Sequence, residues 1–187
     1  MHHPFEKIPP SLRKRTFWLL FIFTLLLMFI FTVTGAPLNT ASAPYGVVSY
    51  ELAGSTARAQ AILASWDQKA QLIAAFGLGL DYLFMLAYST TIGLGCIWAG
   101  EVLQGHKWPL ARLGVALAWL LGLAASLDAV ENMALMILIL GNLASPWPEL
   151  ARWCATGKFT LIFAGLVYAF LGLAVHLAGR LTAKVQV

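Results

Sequence analysis

Residues 110–141 read LARLGVALAWLLGLAASLDAVENMALMILILG, a long apolar run that contains two acidic residues, Asp128 and Glu131. About 20 apolar residues in a helix are enough to cross a hydrocarbon core of about 30 Å. The run therefore predicts a membrane-spanning helix that carries carboxyl groups within the membrane. Such a group costs at least about 2.5 to 3.5 kcal/mol at the centre of a span, and it faces the protein interior by default.

Three further stretches pass the same length test, namely residues 17–35, 72–100 and 159–179. The chain has 187 residues, of which 60% are hydrophobic and 11% are charged, whereas soluble domains are about a quarter charged. Unpaired peptide groups are too costly in lipid for an open chain, and these lengths do not suit barrel strands. We therefore predict an all-α fold in which residues 1–187 form a single membrane domain, a bundle of four spans.

The distribution of Lys and Arg predicts the orientation, because cytoplasmic connections carry an excess of these residues. One side would hold Lys7, Arg13, Lys14, Arg15, Lys107, Arg112, Arg180 and Lys184, and the other Arg58, Lys69, Arg152 and Lys158. This asymmetry predicts cytoplasmic N and C termini in a bacterial cytoplasmic (inner) membrane. The net charge of +4 is then a topology signal, and no nucleic-acid partner is expected.

The first span also imitates a secretory signal, because a basic segment precedes its apolar run and Ala41-Ser42-Ala43 follows it. Its apolar stretch is longer than a usual signal core, and Pro44 would come directly after the cut. We expect the helix to be retained as an anchor.

The connection between spans one and two is the longest, and residues 50–70 within it have a helical, weakly amphipathic composition. We predict an amphipathic extracytoplasmic helix here. Two arrangements fit the pattern. The helix lies on the membrane surface with Trp66 among the headgroups, or it packs over the outer mouth of the bundle as a cover, and the two arrangements are compatible with each other.

The acidic residues of spans two and three fall at a similar predicted depth. Asp81 lies about nine residues, or about 14 Å, from the outer end of span two. Glu131 and Asp128 lie about ten and thirteen residues from the outer end of span three. Asn132 shares their helical face through the i, i+3 and i+4 spacing.

This layer predicts a ligand-binding, aromatic-walled acidic pocket in which at least one acid carries a proton at neutral pH. Lys158 at the outer start of span four is the expected counter-charge, and Tyr82 and Tyr168 are further hydrogen-bonding candidates. The predicted binding residues are Asp81, Tyr88, Asp128, Glu131, Asn132 and Lys158. The alternative is structural, since polar groups between membrane helices also join helices through bonds worth about 0.6 to 2 kcal/mol each.

Three function classes remain open at this stage. The first is binding of a cationic or amphipathic, lipid-like small molecule, or exchange of protons. The second is a lipid-modifying enzyme, with Asp81 or Glu131 as general base and Lys158 stabilising developing negative charge. The third is an accessory or assembly subunit, so the expected partners are membrane lipid, an amphipathic ligand, and a second copy or another membrane protein. The sequence has no metal-ligand spacing, and it leaves any cofactor and any catalytic residue unknown.

Four segments carry a resemblance to a known group: Tyr50-Glu51-Leu52-Ala53, Leu80-Asp81-Tyr82-Leu83-Phe84, Leu127-Asp128-Ala129-Val130-Glu131-Asn132 and Gly157-Lys158-Phe159. They resemble small uncharacterised bacterial four-span integral membrane proteins over nearly the whole chain after span one. This resemblance implies the four-span fold and transfers no activity. At the level of fold alone, the chain is also similar to the four-span sterol-isomerase and sigma-2-receptor group, whose pockets use intramembrane acids to hold cationic or lipid-like molecules.

Overall fold

The computed structural model describes the backbone of residues 2–185 and the side chains of residues 2–181, so the side chain of Lys184 lies outside the described part. Its helices are α1 (Pro10–Thr34), α2 (Val47–Glu51), α3 (Thr56–Ser65), α4 (Gln68–Gly105), α5 (Leu113–Ile139) and α6 (Trp147–Val185). Short 3-10 turns follow α1 at Ala36–Leu38 and precede α5 at Pro109–Arg112.

Four of these helices are long and apolar enough to cross a membrane: Pro10–Thr34, Gln68–Gly105, Pro109–Ile139 (α5 with its preceding turn) and Trp147–Leu181 within α6. The predicted all-α, four-span fold is confirmed, and the chain is a multi-pass membrane protein. α4 has 38 residues, a length of about 57 Å. Because a hydrocarbon core measures about 30 Å, α4 extends past the core or tilts within it.

Local signals explain where the helices begin. Pro10 occupies the first turn of α1, where its missing N–H is not needed. Ser55 and Asp67 accept hydrogen bonds from the backbone N–H groups of Arg58 and Ala70, and so cap α3 and α4. α4 therefore begins at Gln68, directly after its capping residue Asp67 and a few residues before the predicted start at residue 72.

The bundle has a tight three-helix core, made by α4, α5 and α6, with α1 packed mainly on α4. Gly114 and Gly172 allow the close approach in this core, since an added Cβ would collide with the backbone of Cys96 or Ala99, respectively. Of the described residues of α1, only Leu27 is buried. The other apolar side chains of α1 are half-buried or exposed, as expected for a helix that packs on one neighbour and otherwise faces lipid.

One end of the bundle is covered by the segment 36–66, which we call the cap; the covered end is the cap end and the opposite end is the open end. An apolar cluster joins the cap to the adjoining parts of α4 and α5 through Tyr50, Ile62 and Leu135. A second apolar cluster holds α4, α5 and α6 together towards the open end, around Leu121 and Tyr168. Polar side chains occupy the space between the two clusters.

The structure of the cap distinguishes between the two arrangements considered for the amphipathic segment. Tyr50 and Trp66 are buried, and their rings meet edge to face with centroids 5.3 Å apart. The indole N–H of Trp66 donates to the carbonyl of Leu38 at 2.9 Å, and the hydroxyl of Tyr50 donates to the carbonyl of Leu135 at 3.0 Å. The prediction that Trp66 lies among headgroups was therefore wrong, because its side chain is buried within the protein and its N–H group is bonded to a backbone carbonyl there. The segment is a cover over the bundle.

Candidate functional site

The space between the two apolar clusters is occupied by a group of side chains that we call the polar layer. It is built from α2, α4, α5 and α6, and its members are Glu51, Asp81, Tyr88, Asp128, Glu131, Asn132 and Lys158.

Lys158 is the central contact of the polar layer. Its Nζ donates to Oδ1 of Asp128 at 2.6 Å and to Oε1 of Glu131 at 3.0 Å. It also lies 2.9 Å from Oε2 of Glu131, an ion-pair contact without hydrogen-bond geometry. The exposed fractions of the three residues are 5% for Lys158, 2% for Asp128 and 0% for Glu131. An ammonium group with this little access to water depends on its carboxylates for solvation.

Two neutral side chains fix the acids from the sides. The hydroxyl of Tyr88 on α4 donates to Oδ2 of Asp128 at 2.9 Å, so both oxygens of that carboxylate have donors. The amide of Asn132 donates to Oδ2 of Asp81 at 2.7 Å. The i, i+3 and i+4 spacing thus places Asp128, Glu131 and Asn132 on the one face of α5 that turns towards α4 and α6.

Glu51 is the member that the sequence analysis missed as a site residue. It comes from the cap, is 8% exposed, and its Oε2 lies 3.9 Å from Nζ of Lys158. Burial raises the pKa of Glu51 to about 7, with the positive charge of Lys158 opposing the shift and the charges of Asp81 and Asp128 adding to it. Its only sequence signal was an acidic residue next to Tyr50 in a short apolar stretch, which does not reveal that α2 dips into the bundle mouth.

Two carboxyl oxygens in the polar layer lack hydrogen-bond donors within the described part of the chain. They are Oε2 of Glu51 and Oε2 of Glu131. The two carboxyl groups are neighbours, since Oε2 of Glu51 and Oε2 of Glu131 lie 3.9 Å and 2.9 Å from the same Nζ of Lys158. A proton on one carboxyl converts an acceptor into a donor. A single shared proton would therefore satisfy both groups.

The structure brings together all six residues predicted for the site: Asp81, Tyr88, Asp128, Glu131, Asn132 and Lys158. Lys158 reaches in from α6 to the middle of the acids, as expected for their counter-charge, and the cap closes the layer, as in one of the two arrangements considered for it. The structure differs from the predicted pocket in that Glu51 of the cap joins the layer. Asp81 is the most accessible acid of the layer, being only half buried.

The two additional tyrosine candidates lie outside the polar layer. The exposed Tyr82 donates to the carbonyl of Ala129 at 3.2 Å. Tyr168 donates to the carbonyls of Leu110 and Ala111 at 2.9 and 3.2 Å, in the apolar cluster towards the open end. Their hydroxyls satisfy backbone carbonyls, and the prediction that they bond the acids was wrong.

Among the residues that the structure describes, no group of three or more His, Cys, Asp and Glu has an arrangement suited to a metal ion. The ammonium of Lys158 already occupies the space between the Asp128 and Glu131 carboxylates. No protein-family model matches the chain, and neither the curated proteins nor the solved structures contain a significant match to it. The resemblance to bacterial four-span proteins stays a prediction.

Proposed function

We propose that this protein takes up and releases protons at the polar layer, with the cap controlling access to it. The observation that carries the proposal is the balance of charge around Lys158. Four acidic side chains, Glu51, Asp81, Asp128 and Glu131, surround one buried ammonium group. If all four were ionised, three negative charges would remain uncompensated, and of the four acids only the half-buried Asp81 has more than slight access to solvent.

Uncompensated charge is the most expensive arrangement available to such a site. Even after relaxation, burying an unpaired ion costs several kcal/mol, and neutralisation by a proton avoids this. Carboxyl groups that share protons titrate as a coupled unit, so the layer as a whole gains or loses a proton. The unpartnered oxygens of Glu51 and Glu131 mark the interface between cap and bundle as the place for a shared proton.

The cap gives this chemistry a means of control. Glu51 belongs to α2, whereas Glu131 belongs to α5, so a displacement of the cap separates the two carboxyls. The separated groups would meet water at the bundle mouth and exchange protons with it. In the closed state both side chains are buried, and exchange is blocked.

The orientation follows from the Lys and Arg distribution. We place the N and C termini in the cytoplasm of a bacterial inner membrane and the cap on the outer side. The polar layer then exchanges protons with the extracytoplasmic side.

Proton exchange is tested with the purified protein in mild detergent, in a weakly buffered solution that contains a pH-sensitive dye. After a rapid rise of pH, exposed groups release their protons at once, and wild type should then show a slower phase of proton release that is limited by opening of the cap. The variants Glu51→Gln and Glu131→Gln should lose most of this slow phase, because each keeps the shape of the layer and removes a proton-exchanging group. Glu101→Gln is the matched control, since Glu101 is exposed near the open end. A slow phase of equal amplitude in wild type and both layer variants would contradict the proposal.

A second function is favoured by the half-buried Asp81. Its carboxylate receives the amide of Asn132 at 2.7 Å, but the ion pairs of Lys158 are formed with the other acids. A cationic amphipathic molecule could supply the missing positive charge from the bilayer side. Long-chain amines should then raise the melting temperature of wild type in detergent and leave that of Asp81→Asn unchanged. An equal response of the two proteins would exclude this function.

A further inference from the structure

A cavity of about 620 Å³ lies at the open end, between the last turns of α4, the turn that precedes α5 and the N-terminal segment. Its apolar side is formed by Ile97, Gly100 and Val115. Trp108 and Pro109 also contribute to its lining. The cavity thus has an apolar wall within the helix bundle and begins where α4 ends.

Four of the remaining lining residues are strongly polar, and His3 and Ala111 complete the lining. Lys107 and Arg112 supply two positive charges, Glu101 supplies one negative charge, and Gln104 adds an amide. All four are exposed, so their groups are available to a ligand. The set offers a place for one anionic group beside a place for one hydrogen-bond donor or cation.

Lys107, in the short connection between α4 and the turn that precedes α5, has an unusual backbone conformation. Lys107 has φ of 57°, a left-handed conformation that is uncommon for a residue other than glycine. Backbone in sparsely populated regions is concentrated at ligand clamps and other functional sites. Here it allows a connection of only a few residues to follow α4 directly with Trp108 and Pro109, both of which line the cavity.

The position along the spans indicates the kind of molecule that reaches this cavity. The membrane-crossing helices end at Gly105 and begin again at Pro109, so the connection between them lies outside the hydrocarbon core at the open end. Trp108 is 42% exposed, and indole rings favour this interfacial zone. Basic pockets between membrane helices are a known setting for lipid headgroups.

We infer that this cavity binds the headgroup of a phospholipid, with the phosphate between Lys107 and Arg112 and the ammonium of an ethanolamine group on Glu101. The apolar wall of Ile97 and Val115 then receives the first part of the acyl chains. A choline headgroup has the same charge but carries no N–H donors, so it leaves Glu101 without a hydrogen bond. This site is independent of the polar layer and of the proposed proton exchange.

The test uses the full chain in mild detergent with native mass spectrometry. Dioleoyl phosphatidylethanolamine and dioleoyl phosphatidylcholine are added at equal concentrations. Wild type should retain more of the ethanolamine lipid. The double variant Lys107→Gln/Arg112→Gln should bind it about tenfold more weakly, which corresponds to about 1.4 kcal/mol. Glu101→Leu should bind the two lipids equally, because it removes the acceptor that only the ethanolamine headgroup uses.

Lys69→Gln is the matched control, since Lys69 is an exposed cation near the cap end. It should retain the ethanolamine lipid as wild type does. Undiminished retention by the double variant would overturn the site. Soluble glycerophosphoethanolamine distinguishes a lipid from a free phosphate ester. If it competes with the lipid at equal concentration, the headgroup alone is the ligand and the assignment to a membrane lipid is overturned.

Discussion

Beneath the cap and its apolar cluster, the helices meet through charged side chains that have lost nearly all contact with solvent, whereas towards the open end they meet through leucine, glycine, alanine and one tyrosine. Lys158 is held by Asp128 and Glu131 beneath the cap, while Gly172 packs on Ala99. Both contacts bring α6 against its neighbours. Packing alone explains the apolar contact. The charged contact has a greater desolvation cost, which packing does not explain, and this cost favours a functional role for the polar layer.

The largest expected effect is the loss of the central cation. Lys158→Met leaves Asp128 and Glu131 without their counter-charge, and breaking a buried pair from one side costs about 3 to 5 kcal/mol. The free energy of unfolding in mixed micelles measures this loss. Lys69→Met removes an exposed lysine and should change it by less than about 0.5 kcal/mol. If the two variants were equally stable, the polar layer would not depend on the ion pair.

Removal of the tyrosine hydroxyl that bonds Asp128 comes next. Tyr88→Phe leaves Oδ2 of Asp128 without its donor at 2.9 Å, and a hydrogen bond to a charged group contributes about 1.5 to 3 kcal/mol. Tyr82→Phe removes an exposed hydroxyl bonded to a backbone carbonyl, and should cost about 0.6 kcal/mol. Unfolding of the two variants under one condition gives the comparison. A larger loss for Tyr82→Phe would reverse the assignment of the two tyrosines.

The apolar contact has its own matched pair of variants. Gly172→Ala would force the new Cβ against the backbone of Ala99, and overpacking of this kind costs about 1 to 3 kcal/mol. Gly122→Ala meets no atom within 4 Å, and alanine is the better helix former by about 1 kcal/mol. Melting temperatures should fall for the first variant and stay level or rise for the second. Similar changes in both would mean that α4 and α6 do not approach closely at Ala99.

The smallest effect is the dependence of cap closure on pH. The pKa of Glu51 is about 7 in the folded protein, above its ordinary value of 4.5, so the folded state binds more protons between these values. Its contribution to closure is complete below about pH 4.5 and is lost as the pH rises through about 7. The groups that face Glu51 are Lys158 on α6, Asp81 on α4, and Asp128 and Glu131 on α5.

Hydrogen exchange of the cap amides measures this effect. The backbone amide of Ala53 donates to the backbone carbonyl of Tyr50. After correction for intrinsic exchange rates, this amide should exchange faster at pH 8 than at pH 5.5 in wild type. Glu51→Gln should flatten that difference, and Glu101→Gln should preserve it. An unchanged pH dependence in Glu51→Gln would remove Glu51 from the control of the cap.

The sequence predicted the four spans and the face of α5 that carries Asp128, Glu131 and Asn132, because span length and helical periodicity are local properties. It also indicated Lys158, since a lysine near the predicted start of span four has a flexible stem that can reach inward to the acids. The contribution of Glu51 was not predictable, because it depends on how deeply the short α2 helix enters the bundle. The choice between the two arrangements of the Trp66 segment stayed open for a related reason: an amphipathic pattern is equally compatible with a lipid surface and with a protein surface.

The central claim is that the polar layer holds protons while the cap is closed. Infrared spectroscopy tests it directly, because a protonated carboxyl group has its own carbonyl band, distinct from those of carboxylates. At neutral pH, wild type should show this band, and Glu51→Gln and Glu131→Gln should each weaken it, whereas Glu101→Gln should leave it unchanged. If wild type shows only carboxylate bands at neutral pH, all four acids are ionised around Lys158 and the account of a proton-holding layer is wrong.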